Sequence, residues 1–246
     1  MRAVVIIPAR YKSSRFPGKP LVKLAGKPMI IWVAELSSKA VGAENVYIAT
    51  DDPRIAQVVE AEGYTAIITS TGAQTGTDRL AEAAQHIDAD IYINVQGDEP
   101  IIDPADILKV LDTKIKNPDA IINAYCLVSP DENPESVNIP KVITTENNNL
   151  VYMSRLALPG FKDKTCAPLR YKKQVCIYAF NKEQLQAFSR FGRKSELEAC
   201  EDIEILRFLE LGILIIMVES SDGSLAVDVP EDVPPVEAAI VKLHRL

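Results

Sequence analysis

Short aliphatic segments alternate with amphipathic helical patterns along the first half of the chain, and this alternation constrains the fold more than any other feature. The candidate strands are Ala3–Ile7, Val46–Thr50, Ile91–Val95 and Ile121–Leu127. They are mostly apolar on both faces, which is typical of strands covered by helices on both sides. The helical patterns between them are Met29–Ser38, Pro53–Glu62 and the stretch from Asp103 to Ile115. Strand–helix–strand order requires crossover connections, so we predict an α/β fold around a doubly wound, mainly parallel sheet.

The second half of the chain is less regular and richer in strand patterns. Its candidate elements are the strands Val142–Thr145, Leu150–Met153, Val175–Phe180 and Ile213–Glu219 and the helices Glu196–Leu211 and Val233–Arg245. The first two strands flank a polar turn, which predicts a hairpin, and a basic, proline-bearing loop over Pro159–Lys173 follows them. We predict a single domain over residues 1–246, with a β-rich region inserted at about residues 140–195.

Charge and hydropathy exclude several classes of partner. The 246 residues carry 27 Lys and Arg against 34 Asp and Glu, a net charge of −7, which argues against binding of duplex nucleic acid. The longest aliphatic run, Ile213–Val218, is far shorter than the roughly 20 residues that cross a bilayer, so no membrane partner is expected. Four cysteines without paired spacing and only two histidines argue against a Cys/His zinc site. Scattered thiols without a secretion signal are typical of a cytoplasmic protein.

The most informative segment is the basic loop Pro8–Pro20, which directly follows the first candidate strand. Its four cations lie within ten positions of an acidic chain and are Arg10, Lys12, Arg15 and Lys19. In a doubly wound sheet this loop lies at the carboxyl edge, where ligands bind. Arginine forks and a lysine charge suit several phosphates in a row, although neither a Walker A loop nor G-x-G-x-x-G is present. We predict a polyphosphate-binding loop, and the alternative is a solvated basic loop.

Two acidic turns lie far apart in the sequence. Asn94–Pro100 places Asp98 at the end of a buried strand, and Val227–Asp232 places Asp228 between a strand and a helix. Mg²⁺ prefers one or two carboxylates together with phosphate oxygens and waters, so such an aspartate is a candidate ligand. Each turn also has a structural explanation, because acidic residues commonly cap helices. A further polar cluster, Gln74–Arg79, opens a helix; it is either a capping box or a site for an anion or a nucleobase edge.

These segments, in this order, resemble the 3-deoxy-manno-octulosonate (Kdo) cytidylyltransferases, the CMP-Kdo synthetases. The shared motifs are P-A-R-x-x-S-x-R-x-P-G-K-P, T-G-T-[DE]-R, N-x-Q-G-D-E-P, Y-x-S-R-x-x-[IL]-P and V-D-x-P-E-D, which span Ile6 to Asp232. The resemblance implies a Rossmann-like sheet with a β-rich dimerisation insertion, and hence a homodimer. It also implies transfer of CMP from CTP to the anomeric hydroxyl of a 3-deoxy-2-keto sugar acid, with release of pyrophosphate and with Mg²⁺ as cofactor.

The resemblance further implies a role for each residue that matches a family motif. Arg10, Ser13, Arg15 and Lys19 would bind the triphosphate, and Thr77, Arg79 and Gln96 would lie near the nucleotide. Asp98 and Asp228 would hold Mg²⁺ and, with Lys19, form the catalytic group. Arg155, Tyr178 and Glu201 would contact the sugar acid.

On the sugar side the chain departs from the family pattern. The strand that commonly reads R-H-x-G-I-Y reads K-Q-V-C-I-Y here, so Gln174 stands where the family has the His that faces the sugar and Cys176 where it has Gly. Gln donates and accepts hydrogen bonds but carries no charge near neutral pH. This exchange leaves open whether the substrate is Kdo, an amino-substituted Kdo or another 3-deoxy-ulosonic acid.

Three other functions stay open on the sequence alone. A related CMP-sugar-acid synthetase would use the same chemistry on a sialic-acid-like substrate. A sugar-1-phosphate nucleotidylyltransferase typically has a G-G-x-G-[ST]-R-L-x-P first loop, whereas this loop begins Ala9-Arg10. A non-catalytic nucleotide-binding protein is disfavoured because Lys19, Asp98 and Asp228 are all present.

Overall fold

The computed structural model describes residues 1–13, 15–221 and 225–244. The strands are β1 (Ala3–Ala9), β2 (Lys23–Leu24), β3 (Lys27–Pro28), β4 (Val46–Thr50), β5 (Thr65–Ile68), β6 (Ile91–Val95), β7 (Ile121–Leu127), β8 (Lys141–Thr144), β9 (Leu150–Ser154), β10 (Lys172–Phe180) and β11 (Ile215–Glu219). The α-helices are α1 (Met29–Val41), α2 (Pro53–Ala61), α3 (Gly76–Ala83), α4 (Pro104–Lys116), α5 (Lys182–Phe191), α6 (Glu196–Glu201), α7 (Ile205–Glu210) and α8 (Val233–His244). Short 3₁₀ turns cover Lys19–Leu21, Ala43–Asn45, Lys164–Cys166 and Pro230–Asp232.

The main sheet runs in the order β11-β7-β10-β6-β1-β4-β5, and the β8–β9 hairpin pairs with β10. β1 pairs in parallel with β4 and β6, β4 with β5, and β7 with β11. β10 runs antiparallel between β6 and β7. The predicted α/β fold with a mainly parallel sheet is confirmed, and the pairing places the loops after β1 and β6 side by side at one edge.

The β-rich region expected at about residues 140–195 divides between two parts of the molecule. β8 and β9 form the expected hairpin, whereas β10 lies inside the main sheet and pairs with three strands. β10 also begins at Lys172, so the basic loop before it ends earlier than predicted. Its apolar residues explain the central position, because Val175 and Ile177 face one side of the sheet and Tyr178 and Phe180 the other.

The predicted helix Glu196–Leu211 is wrong as a single element. The structure has two short helices, because Asp202 adopts a left-handed backbone with φ of 52° and ends α6. Aspartate tolerates this conformation better than most residues. The strand β5 was not predicted, since it is short and only partly buried. The terminal helix is present to His244, and the predicted last residue, Arg245, lies outside the described part of the chain.

Capping residues start the helices where the sequence indicates. The Asp52 and Asp103 carboxylates accept hydrogen bonds from backbone amides two residues on, at 3.0 and 2.8 Å, and a proline follows each. Thr75 and Asp78 form a reciprocal capping box at the start of α3. Such caps satisfy amide groups that a helix leaves unpaired, and here they fix where α3 meets the edge of the sheet.

The residues that the structure describes form three apolar clusters. One lies on the side of the sheet covered by α1, α2 and α4, and the second on the side covered by α3, α5 and α7. The third packs α8 onto α1 through Trp32, Val227, Val236 and Ile240. Because Val227 is fully buried in this cluster, its neighbour Asp228 is held against the body of the molecule. None of the helices in the described ranges has the length and hydropathy required to span a bilayer.

Candidate active site

A cleft of about 640 Å³ opens at the carboxyl ends of β1 and β6. The predicted residues that line it are Arg10, Ser13, Arg15, Lys19, Arg79, Gln96, Asp98, Arg155 and Asp228. They come from segments more than 200 positions apart in sequence, and the sheet order brings them together. Ligands of doubly wound folds bind at this edge, so this cleft is the candidate active site.

The two acidic turns meet at one ammonium group. Lys19 Nζ lies 2.8 Å from Asp98 Oδ2 and 3.5 Å from Asp228 Oδ1. Arg15 adds a second cation 3.3 Å from Asp228 Oδ1. The backbone joins the same turns, because the Val227 amide donates to the Asp98 carbonyl at 3.0 Å. Cations of the first loop and both distant aspartates thus form one charged group at the floor of the cleft.

Two glycines allow this close approach. Gly18 has a φ of 73°, a left-handed backbone that favours glycine, and its amide donates to the Tyr11 carbonyl at 2.9 Å, which folds the basic loop back on itself. A side chain at Gly97 would place its Cβ 3.1 Å from the Pro8 carbonyl. The turn that carries Asp98 therefore packs directly on the first loop and delivers its carboxylate to Lys19.

The donor set at this point fits a divalent cation such as Mg²⁺. The side chains of Asp98 and Asp228 are 27% and 48% exposed, and both residues line the cleft. The two carboxylates are close enough together for the single ammonium group of Lys19 to contact both. In the described ranges no group of three or more His, Cys, Asp or Glu gathers as a metal cage. Mg²⁺ commonly takes one or two carboxylates and completes its shell with waters and substrate phosphates, which is the arrangement two aspartates beside a basic loop allow.

Glu99, next to Asp98 in sequence, differs from it in charge state. Desolvation and the neighbouring Asp98 charge raise the pKa of the buried Glu99 carboxyl to about 8. At neutral pH this group is therefore mostly protonated and adds little negative charge beside Asp98.

The residues predicted around the nucleotide occupy two different environments. Gln96 lies in the cleft wall beside Gly76, where a Cβ on the glycine would come within 3.0 Å of its Nε2. Arg79 reaches the cleft margin but is 3% exposed, bonded to the Thr69 hydroxyl and paired with Asp51 at 3.3 Å. Thr77 is buried and does not line the cleft. The structure thus places only Gln96 of these three side chains in the open wall.

Arg155 also lines the cleft and is held by backbone carbonyls. Its Nη1 donates to Val137 O at 2.7 Å and its Nη2 to Asp202 O at 3.1 Å. The Glu201 carboxylate is turned away from the cleft lining and accepts hydrogen bonds from the Arg155 amide at 2.9 Å and the Ser154 hydroxyl at 2.7 Å. Glu201 therefore orients the segment that carries Arg155.

Gln174 and Tyr178 lie next to each other on β10. The Gln174 Nε2 group donates to the Tyr178 hydroxyl at 3.1 Å. Tyr178 is 4% exposed and desolvation raises the pKa of its hydroxyl, whereas Gln174 is half-buried. Neither is among the residues that line the cleft in the described chain.

Glu204 was missed in the sequence and lines the cleft. Its two carboxylate oxygens accept hydrogen bonds from the amides of Gly76 and Thr77 at 3.0 and 2.7 Å, at the start of α3. Desolvation raises the pKa of this carboxyl. No local signal in the sequence identifies it, because the helical pattern from 196 to 211 continues through the break at Asp202, and a continuous helix would direct Glu204 elsewhere.

Comparison with known proteins identifies the family. Residues 4–215 match the family described as cytidylyltransferase. A 3-deoxy-manno-octulosonate cytidylyltransferase of Geobacter metallireducens is 42% identical, over 100% of this chain and 99% of the relative. An 8-amino-3,8-dideoxy-manno-octulosonate cytidylyltransferase of Shewanella baltica is 39% identical, over 96% of this chain and 98% of the relative.

A solved structure leads to the same family. It is a CMP:2-keto-3-deoxy-manno-octonic acid synthetase complexed with CTP, 39% identical in sequence, and it superposes with a TM-score of 0.91 over 99% of this chain and 100% of that one. The resemblance carried by the sequence motifs is confirmed, and the chain belongs to the cytidylyltransferase family, together with the 3-deoxy-manno-octulosonate cytidylyltransferases.

Proposed function

We propose that this enzyme transfers CMP from CTP to the anomeric hydroxyl of 3-deoxy-manno-octulosonate or its 8-amino analogue and releases pyrophosphate. The observation that carries the proposal is the convergence of Arg15 and Lys19 with Asp98 and Asp228 in one cleft. The relatives named above support both sugar acids as substrates.

The reaction joins two anions, and the first loop offsets their repulsion. CTP carries about four negative charges and the sugar acid one more; two unit charges 4 Å apart repel by about 4 kcal/mol at an effective dielectric near 20. Arg10, Ser13, Arg15 and Lys19 line the cleft where the triphosphate would bind. Their positive charge and hydrogen bonds also stabilise the charge that builds up on the departing pyrophosphate.

Asp98 and Asp228 are the residues that would hold Mg²⁺. When bound, this ion supplies Lewis-acid polarisation of the phosphate and neutralises charge on the leaving group. The anomeric oxygen attacks the α-phosphorus, the bond from that phosphorus to the bridging oxygen of the β-phosphate breaks, and the hydroxyl proton passes to solvent. Positioning and electrostatics account for such a transfer, so no covalent enzyme intermediate is expected.

Arg155 is placed to receive the sugar-acid carboxylate. Its guanidinium has five N–H donors, and three backbone carbonyls accept some of them. The rest stay available at the cleft, which Asn138 and Lys194 also line. The sugar acid would therefore bind at the end of the cleft that Arg155, Asn138 and Lys194 line.

The proposal is tested by measuring pyrophosphate release from CTP with a panel of acceptors: Kdo, 8-amino-Kdo, a sialic acid and a sugar 1-phosphate. We expect release with Kdo or 8-amino-Kdo, dependent on a divalent cation, and none with the other two acceptors. Equal release with the sugar 1-phosphate, or none with any acceptor, would contradict the proposal.

Lys19→Ala is expected to raise the KM for CTP about tenfold or more, because a charge-assisted hydrogen bond contributes roughly 1.5–3 kcal/mol. The KM for the sugar acid should change less than threefold, since Lys19 lies at the phosphate end. Lys23→Ala is the matched control, because this nearby lysine is exposed. An equal rise in both KM values would show that Lys19 does not act on the triphosphate.

We also propose that the enzyme is a cytoplasmic homodimer paired through the β8–β9 region. Large apolar side chains are exposed there and on the following loop, at Val151, Leu156, Phe161 and Leu169. These four exposed apolar side chains support the proposal, because apolar side chains that form a contiguous exposed patch commonly mark a protein interface. Light scattering at micromolar concentration should give twice the mass of one chain.

A further inference from the structure

β10 contains a two-residue bulge at the middle of the sheet. Gln174 and Val175 pair with Tyr125 and Ala124 of β7, and the next pair is Tyr178 with Asn123. Two extra residues of β10, Cys176 and Ile177, therefore stand against β7 without a partner on that strand. Bulges leave backbone groups unpaired and redirect nearby side chains, and they are frequent beside active sites.

Both the Nδ2 and the Oδ1 atoms of the Asn123 carboxamide form hydrogen bonds with residues of the bulged segment of β10. Its Nδ2 group donates to Val175 O and to Ile177 O, both at 2.9 Å, so it pairs the carbonyls that the bulge leaves without a ladder partner. Its Oδ1 accepts from Gln174 Nε2 at 3.1 Å. Asn123 is fully buried, and a buried carbonyl without a partner is costly.

The bulge lies between two parts of the cleft wall. The Gln96 amide donates to the Cys176 carbonyl at 3.4 Å, which ties the bulge to the strand that carries Asp98. On the other side, the Gln174 amide donates to Pro140 O at 3.0 Å, and residues 137–138 of that segment line the cleft. Desolvation raises the pKa of the Cys176 thiol, which keeps this side chain neutral beside the acidic turn.

We infer that Asn123 is a positioning residue: by clamping the two-residue bulge and the Gln174 carboxamide, it sets the shape of the cleft end that selects the sugar acid. The inference rests on the proposed function, because that function assigns the sugar acid to this end. In the described chain Asn123, Gln174 and Cys176 do not line the cleft themselves. Asn123 acts through the backbone hydrogen bonds that join Gln174 to Pro140 and Cys176 to Gln96, because both of those segments line the cleft.

The test compares Asn123→Ala, Gln174→Ala and the double variant, each assayed for the KM of the sugar acid and of CTP. Asn123→Ala should raise the KM for the sugar acid about tenfold while the KM for CTP stays within twofold. Gln174→Ala should show the same pattern, and the double variant should be no worse than the more severe single variant, because residues that act through one contact are not additive.

Gln184→Ala is the matched control for loss of a buried carboxamide. Gln184 is 5% exposed; at the opposite end of β7 it donates to the Asp119 carbonyl and accepts from the Asn181 amide and the buried Lys114 ammonium. The Gln184→Ala substitution should lower the thermal midpoint at least as much as Asn123→Ala does, and it should leave the KM for the sugar acid and the KM for CTP unchanged. If Asn123→Ala does not fold, Gln174→Ala still decides, since an unchanged sugar KM in that variant overturns the inference.

Other outcomes distinguish failure of the positioning role of Asn123 from failure of the proposed function. Parallel rises in both KM values, or additive effects in the double variant, overturn the role of Asn123 and leave the proposed function standing. If none of the 3-deoxy sugar acids supports pyrophosphate release by the wild-type enzyme, the proposed function fails. The role of Asn123 in sugar selection is then overturned with it.

Discussion

Asp98→Asn or Asp228→Asn is expected to lower kcat by about 10²–10³-fold while the protein stays folded, which is the size of effect seen when one group that stabilises a transition state is removed. Each substitution keeps the shape of the side chain and removes a negative charge. The carboxylates share the Lys19 ammonium, at 2.8 and 3.5 Å, so either loss weakens the same cation site. The measurement is pyrophosphate release at saturating CTP and sugar acid.

A second measurement separates metal binding from activity. Titration of Mn²⁺ followed by its electron paramagnetic resonance signal should show weaker binding in both variants, without substrate turnover. Asp103→Asn is the matched control, because this carboxylate caps α4 through the Ala105 amide at 2.8 Å and asparagine caps helices equally well. Wild-type kcat and Mn²⁺ affinity in Asp98→Asn would remove the metal proposal.

That Asp98 and the first loop lie at the same edge of the sheet could be expected from the sequence, because each directly follows a strand predicted to belong to one mainly parallel sheet. Asp228 could not be placed in this way. It does not directly follow a main-sheet strand, and β11 lies several strands away from β1. Its position depends on Val227, which is buried in the cluster formed by α1 and α8 and donates to the Asp98 carbonyl. The motif resemblance, not strand order, supplied that pairing.

The bulge in β10 and the helix break at Asp202 could not be predicted, because the local sequence pattern around each is that of a regular element. The residues from Val175 to Phe180 are apolar throughout, as in a strand covered on both faces, so the bulge that Asn123 holds has no signature in that segment. Likewise, the helical periodicity around Asp202 continues through the break. After the left-handed turn at Asp202, Glu204 reaches the backbone amides at the start of α3, a tertiary contact that no short window of sequence contains.

Glu198→Gln is expected to lower the free energy of unfolding by about 3 kcal/mol or more, because it leaves a buried guanidinium without its main counter-charge. Arg207 and Glu198 are each 1% exposed. The guanidinium donates twice to this carboxylate, at 2.6 and 2.7 Å. It also reaches Asp78, at 3.0 Å, and lies over the Phe188 ring, 3.6 Å from its centre. Asp78 belongs to the capping box of α3, so loss of the pair also loosens the helix start beside the cleft.

The thermal midpoint should fall by roughly 6–12 °C in Glu198→Gln, at about 2–4 °C per kcal/mol for a chain of this size. Glu35→Gln is the control, since Glu35 forms a half-exposed pair with Lys27, and such pairs contribute about 1 kcal/mol or less. The double variant Glu198→Leu with Arg207→Met should recover part of the loss, because removing both charges ends the burial of an unpaired one. Equal midpoints for Glu198→Gln and Glu35→Gln would mean that Arg207 finds compensation elsewhere, with Asp78 the only other carboxylate within salt-bridge distance of Arg207 in the described chain.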